Sequence, residues 1–178
     1  MGDPSALRRT GFQALFLGVA AIVVFFRILP VHVARDGLPA PDLLLLLIFA
    51  WVLRRPGDLP VWLVAAVALF ADAVYMRPLG LGALLAVIGA EALRRRSRLT
   101  AEEAFPVEWM RVAGVLLAMT VARTLILAVS LVPQPPLSAV ALEYAVTVAA
   151  YPLVVLGCTL CLGVRAPDAA HRDAGWRS

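Results

Sequence analysis

Six apolar runs, separated by short segments that contain proline, dominate the sequence. A helix of about 20 apolar residues crosses a bilayer core, and a shorter helix suffices where the bilayer thins. Proline ends helices and is typical of the turns between them. The pattern therefore predicts an all-α polytopic membrane protein, with spans over residues 12–29, 41–53, 59–76, 79–93, 107–132 and 137–164.

The second and fourth runs are shorter than a full membrane crossing usually requires. Three arrangements fit a short run: the helix tilts little, lies partly behind its neighbours, or is re-entrant. Five spans are the alternative to six. The first run follows two arginines but continues to Leu29 without a small-residue cleavage site, so we predict a retained helix instead of a signal peptide.

The composition supports lipid as the solvent of this chain. Hydrophobic residues make up 62% of the sequence and charged residues 16%, whereas soluble domains are about 45–50% apolar. We predict one transmembrane domain over residues 1–164 and a disordered cytoplasmic tail over 165–178. The net charge of +4 comes from arginines that lie mostly between the apolar runs, so it predicts no nucleic-acid partner.

The distribution of arginine predicts the orientation in the membrane. Eleven arginines lie in the N-terminal segment, the second and fourth connections and the tail, whereas the opposite side has only Arg35 and Arg77. Because arginine is enriched in cytoplasmic segments, both termini are predicted to be cytoplasmic. The basic fourth connection is expected to contact anionic lipid headgroups. Ion pairs are expected within helix ends, between Glu91 and Arg94 or Arg95 and between Glu108 and Arg111.

Charged residues also occur inside the apolar runs. From the helical rise of ~1.5 Å per residue, Arg27, Asp72, Arg123 and Glu143 all fall in the periplasmic half, on four different helices. Asp42 lies at the outer end of the second run, where the positive end of a helix stabilises a carboxylate. Charges at this depth usually pair with one another or face a wet cavity. Two interpretations stay open: a structural polar cluster, with Arg27 and Arg123 as counter-ions of Asp72, or a pocket that receives a ligand or a partner helix.

No catalytic, cofactor or metal site is predicted. The sequence has no phosphate-binding loop and no zinc-protease motif. Both histidines, His32 and His171, lie outside the apolar runs. Cys158 and Cys161 lie three residues apart within the last run, where cysteine is a small apolar filler of a membrane helix. The chain is therefore predicted not to be an enzyme.

A series of weak motifs in the middle third carries a family resemblance. The segment from Pro39 to Arg96 resembles the rod shape-determining protein MreD family, in which Pro-Asp precedes a leucine-rich helix, a basic turn, a late aspartate, and Leu-Gly before the next helix. The last two runs match the family in hydropathy alone, so Arg123 and Glu143 take no role from the resemblance. The matching positions here are Pro41, Asp42, Arg54, Arg55, Asp72, Leu79 and Gly80.

The resemblance implies a non-enzymatic scaffold of the bacterial elongation machinery in the inner membrane. Members of the family associate with MreC, a bitopic protein, and through it influence a class B penicillin-binding protein and its membrane glycosyltransferase partner, with MreB on the cytoplasmic side. The implied fold is similar to the six-helix substrate-binding subunits of energy-coupling-factor transporters. The alternative function is therefore a small-molecule-binding subunit of such a transporter.

For the scaffold, small residues of the fourth run form a candidate packing surface. Polar contacts between helices in lipid contribute only ~0.6 kcal/mol on average, so close packing must supply much of the affinity for a partner. Ordinary packing within the chain is the equal alternative. The residues of this surface are Gly80, Gly82, Ala83, Ala86, Gly89 and Ala90.

Overall fold

The computed structural model describes residues 4–28, 40–97 and 104–160, which form six α-helices. Each helix covers one of the predicted apolar runs, so the prediction of six helices is confirmed. The helices are α1 (Pro4–Ile28), α2 (Leu43–Arg54), α3 (Val61–Val74), α4 (Leu81–Ser97), α5 (Phe105–Val129) and α6 (Leu137–Leu160). The predicted tail, Cys161, His32 and His171 lie outside the described residues.

Three of these helices are long and apolar enough to cross a membrane. They cover Arg9–Ile28, Phe105–Val129 and Leu137–Leu160, whereas α2 and α3 are shorter apolar helices. Large apolar side chains point outward from the long helices, as Phe26 on α1, Leu125 on α5 and Leu153 on α6 do, with 60–71% of each exposed. Surfaces of this kind are expected to face lipid, because no soluble fold leaves so many large apolar side chains in water.

The shortest helix, α2, lies at the centre of the bundle. It packs against α1, α4 and α6, while α1, α3, α4, α5 and α6 follow one another around it. Nine of its twelve residues are buried. Among these, Trp51 contacts Phe16 of α1 edge-to-face at 5.4 Å between ring centroids. Of the arrangements considered for a short run, the structure therefore shows one that lies behind its neighbours.

The small residues of α4 allow close packing within the chain. A Cβ atom at Gly89 would lie 2.8 Å from both Phe49 of α2 and Met119 of α5. Ala83, Ala86 and Ala90 on the same helix are at most 7% exposed. The fourth run therefore uses these small residues for its own helix contacts, which leaves this stripe buried inside the bundle.

A polar network joins three helices at the end of the bundle where α2 ends. Arg54 of α2 is 6% exposed, and its guanidinium lies 3.1 Å from the Glu108 carboxylate of α5. The hydroxyl of Tyr151 on α6 donates to the same carboxylate. Glu108 thus bonds across helices, whereas a pair with Arg111 in its own helix was predicted. The predicted pair of Glu91 with Arg94 is confirmed, at 2.7 Å.

Candidate functional site

A cavity opens among α2, α3, α4, α5 and α6 at the opposite end of the bundle, where α2 begins. The space between its walls, counted out to the open solvent at its mouth, is about 1050 Å³. Five charged side chains line it. They are Asp42, Asp72, Arg77, Arg123 and Glu143.

Asp42 fixes the start of α2. Its Oδ1 accepts a hydrogen bond from the backbone nitrogen of Leu45 at 3.2 Å, which makes it the N-cap of the helix. Its own backbone N–H donates to the hydroxyl of Thr147 on α6 at 3.2 Å. Its Oδ2 accepts from Arg77 Nη1 at 3.0 Å. One residue therefore joins the beginning of the central helix to α6 and to the segment between α3 and α4.

Asp72 joins the end of α3 to the beginning of α4. The side chain is 3% exposed, and its Oδ2 accepts from the backbone nitrogens of Gly80 at 3.1 Å and Ala83 at 3.0 Å. The Ala83 N–H belongs to the first turn of α4, the positive end of the helix dipole, and Gly80 lies directly before this helix. The carboxylate is thus stabilised by backbone amides.

Glycine is required beside this carboxylate. A Cβ atom at Gly82 would lie 2.2 Å from Asp72 Oδ1, which is inside any possible contact distance. Gly80, at the turn before α4, has a φ of +88°, a left-handed conformation that glycine adopts without strain. The Gly-x-Gly spacing in this sequence therefore serves the close approach of α3 to the start of α4.

Arg77 and Arg27 both lie over the Tyr75 ring. The guanidinium carbons are 5.3 Å and 5.5 Å from the ring centroid, respectively. Arg27 also donates from Nη1 to the carbonyl oxygens of Ala40 at 3.2 Å and Pro41 at 3.0 Å. Burial lowers the pKa of Arg77, but Asp42 and more distant Glu143 and Asp72 raise it above its ordinary value, so this guanidinium stays protonated.

Arg123 of α5 and Glu143 of α6 face the same cavity without such partners. Both are half-buried. Among the described residues, neither side chain has a hydrogen bond or a salt bridge within 4.0 Å. The cavity thus contains one positive and one negative side chain whose charges no neighbouring group neutralises directly.

A family model described as rod shape-determining protein MreD matches residues 8–160. The chain belongs to the MreD family. This identifies it as a membrane protein with a role in rod shape determination. No curated protein matches the chain. No solved structure matches it either, so the similarity to energy-coupling-factor subunits stays a prediction.

Four of the MreD motif positions lie at or beside the cavity, whereas Arg54 and Arg55 lie at the opposite end of α2. Asp42 and Asp72 line it, and Gly80 donates to Asp72. The carbonyl of Pro41 accepts from Arg27, which lies beside the cavity and is not part of its lining. Leu79, by contrast, is 71% exposed. The motif of this MreD-family chain therefore describes mainly how three helix ends are connected.

The structure brings together the predicted polar residues but not in the expected pairs. Among the described residues, Asp72 makes no salt bridge with Arg27 or Arg123, which sequence analysis had proposed as its counter-ions. The carboxylate with an arginine partner is Asp42, and that partner is Arg77. The sequence predicts Arg77 only as an arginine of the outer side. Its position on the arginine-poor side, the same side as Asp42, was the signal that could have identified the pair.

The described residues contain no group of three histidine, cysteine or acidic side chains that could hold a metal ion. Cys158 is buried in the apolar core, where it packs as the small filler that its position in the last run predicts. The cavity itself is lined by charged, uncharged polar and apolar side chains.

Proposed function

We propose that the chain is a non-enzymatic scaffold of the elongation complex in the bacterial inner membrane, with several spans and both termini in the cytoplasm. In this proposal it binds an MreC-like bitopic protein at its periplasmic end. Through that partner it helps to control peptidoglycan synthesis by a class B penicillin-binding protein and its glycosyltransferase, with MreB on the cytoplasmic side. Membership of the MreD family and the arginine distribution support this assignment.

Two left-handed turns support a docking surface at this end. At the end of α3, Met76 has a φ of +53°, and the backbone N–H groups of Met76 and Arg77 donate to the carbonyls of Ala73 at 3.4 Å and Asp72 at 3.0 Å. This is the Schellman arrangement, in which glycine is the usual residue at the left-handed position. Here the position is occupied by methionine, and 93% of it is exposed.

The end of α5 repeats this arrangement. Leu131 has a φ of +54°, and the N–H groups of Leu131 and Val132 donate to the carbonyls of Ala128 and Leu127, both at 3.1 Å. Leu131 is 91% exposed. Because α3 and α5 run in the same direction, both turns lie at the end of the bundle that holds the cavity.

The strain at these two positions carries the proposal. A left-handed conformation costs an L-residue roughly 1–2 kcal/mol, and glycine avoids most of that strain. An exposed side chain gains no packing energy within the chain to offset this strain. A contact with another molecule would therefore explain the side chains of Met76 and Leu131, whereas packing within this chain does not. We propose that they are apolar anchors for the partner.

The test separates folding from docking. Met76→Gly and Leu131→Gly relieve the backbone strain, so thermal unfolding in detergent should occur at the same or a higher temperature. Recovery of the MreC-like partner by co-purification should nevertheless fall, most in the double variant, and cells that depend on the double variant should become round. Met76→Ala, which removes the side chain and keeps the strain, should also reduce recovery.

Leu153→Ala is the matched control, because Leu153 is an exposed apolar residue on the outer surface of α6, within a helix. Its partner recovery and cell shape should match those of the unsubstituted chain. Normal recovery and rod shape in the double glycine variant would refute the docking surface. The comparisons give no support to the alternative of a transporter subunit, and we do not propose it.

A further inference from the structure

Some of the charged side chains around the cavity have hydrogen-bond or ion-pair partners, and others have none among the described residues. Asp42 pairs with Arg77 at 3.0 Å, and Asp72 accepts hydrogen bonds from the backbone N–H groups of Gly80 and Ala83. Arg123 and Glu143 remain, one cation and one anion without direct partners among the described residues. Glu143 does act on Arg77 electrostatically, but the guanidinium of Arg77 is bonded to Asp42. The cavity therefore offers one positive and one negative group to an occupant.

Beyond these charges, apolar side chains form about half of the lining of the cavity. Its lining includes Leu45 and Ile48 of α2, Ala68 of α3, Leu85 of α4, and Leu116 and Met119 of α5. Thr120 and Thr124 of α5 also line the cavity, and their hydroxyls donate hydrogen bonds to backbone carbonyls of their own helix. These hydroxyls are thus engaged within α5, which leaves an apolar floor beneath the two uncompensated charges.

An amphiphile satisfies both parts of this cavity. A guanidinium binds a phosphate through parallel charge-assisted hydrogen bonds, and a carboxylate accepts hydrogen bonds from a primary ammonium. We propose that the cavity binds one zwitterionic phospholipid of the phosphatidylethanolamine type, with its phosphate at Arg123, its ammonium at Glu143 and an acyl chain along the apolar floor. The lipid chemistry follows from the charges and the floor, independently of the proposed docking of MreC.

The proposal predicts selectivity among headgroups. Phosphatidylcholine has a quaternary ammonium without N–H donors, and phosphatidylglycerol has no cation for Glu143. The delipidated chain should be titrated in detergent with the three lipids, all carrying the same acyl chains, and bound lipid counted by native mass spectrometry. One phosphatidylethanolamine per chain should bind about 10- to 100-fold more tightly than either of the other lipids, because a charge-assisted hydrogen bond to Glu143 is lost with those lipids.

Variants assign the two contacts. Glu143→Gln should bring phosphatidylethanolamine and phosphatidylglycerol to similar affinities, because the preference for ammonium is lost. Arg123→Ala should weaken the binding of all three lipids. Arg123→Lys, which keeps the charge, should retain part of that binding. Arg95→Ala is the matched control, because Arg95 is exposed near the end of α4, away from the cavity. Its lipid binding should be unchanged. Thermal unfolding of each variant without lipid shows that it is folded.

Free phosphoethanolamine distinguishes a lipid from its soluble headgroup. It should compete with the lipid only weakly, because it lacks the chain that the apolar floor accommodates. Equal affinity of the soluble headgroup and the lipid would overturn the assignment of an amphiphile. Equal binding of the three lipids, or an unchanged preference for phosphatidylethanolamine in folded Glu143→Gln, would overturn the headgroup contacts.

Discussion

Asp72 Oδ2 lies 3.0 Å from the backbone nitrogen of Ala83, so a side chain near the end of α3 caps the first turn of α4. A carboxylate that would be costly to bury in hydrocarbon is thereby stabilised by backbone N–H groups that would themselves be unsatisfied. The carboxylate gains hydrogen-bond donors, and the backbone N–H groups gain an acceptor. Asp72 thus links the end of α3 to the start of α4.

Replacing Asp72 should therefore destabilise the fold. Asp72→Ala leaves the N–H groups of Gly80 and Ala83 without their acceptor, which should cost about 1–3 kcal/mol. Asp72→Asn keeps an acceptor oxygen and loses only the charge, so it should cost less. Thermal unfolding of the purified chain in detergent measures both. Equal stability of Asp72→Ala and the unsubstituted chain would show that the cap contributes nothing.

Gly82 should tolerate no side chain while Asp72 is present. Gly82→Ala places a Cβ 2.2 Å from Asp72 Oδ1, so the carboxylate must move and its hydrogen bonds weaken. We expect a marked fall in the unfolding temperature. In an Asp72→Ala background the same substitution should be less harmful, because contacting residues are not additive.

Gly114→Ala provides the control for this substitution. Gly114 lies within α5, and nothing approaches within 4 Å of a Cβ built there. Alanine should therefore stabilise the chain by about 0.5–1 kcal/mol, since glycine is unfavourable inside a helix. If Gly82→Ala and Gly114→Ala destabilised the chain to a similar extent, the contact with Asp72 would not be the reason why Gly82 excludes a side chain.

The sequence predicted the helices well because apolar runs and proline breaks are local signals. It also predicted that Asp42 begins a helix and that several charges gather at one end of the bundle. It could not predict the pairing of those charges. Asp72 finds its partners in backbone N–H groups, which every sequence contains, and Arg54 finds Glu108 across 54 positions. Such contacts depend on how helices pack, which hydropathy does not specify.

The Asp42–Arg77 pair should show a measurable coupling energy. Asn caps helices as well as Asp does, so Asp42→Asn removes the ion pair and keeps the start of α2. Combined with Arg77→Met in a double-mutant cycle, it should give a coupling of about 0.5–1 kcal/mol, because both side chains are about one-fifth exposed. The coupling should fall as salt is added. A coupling of zero at low salt would contradict the pairing.

The network of Arg54, Glu108 and Tyr151 should be the most sensitive polar site in the chain. Glu108→Ala leaves the buried Arg54 guanidinium without its carboxylate, which should cost about 3–5 kcal/mol. Tyr151→Phe removes one hydrogen bond to a charged group and should cost less, about 1.5–3 kcal/mol. Trp109→Phe, which loses the indole hydrogen bond to the Val148 carbonyl at an exposed position, is the milder control.

The double variant Arg54→Met with Glu108→Leu tests whether this effect comes from the orphaned charge. Apolar residues of similar size can replace a buried ion pair at little cost, whereas removing one partner leaves the other uncompensated. The double variant should therefore unfold at a higher temperature than Glu108→Ala. An unfolding temperature at or below that of Glu108→Ala would mean that the pair itself, and not the avoidance of a lone buried guanidinium, stabilises the contact between α2 and α5.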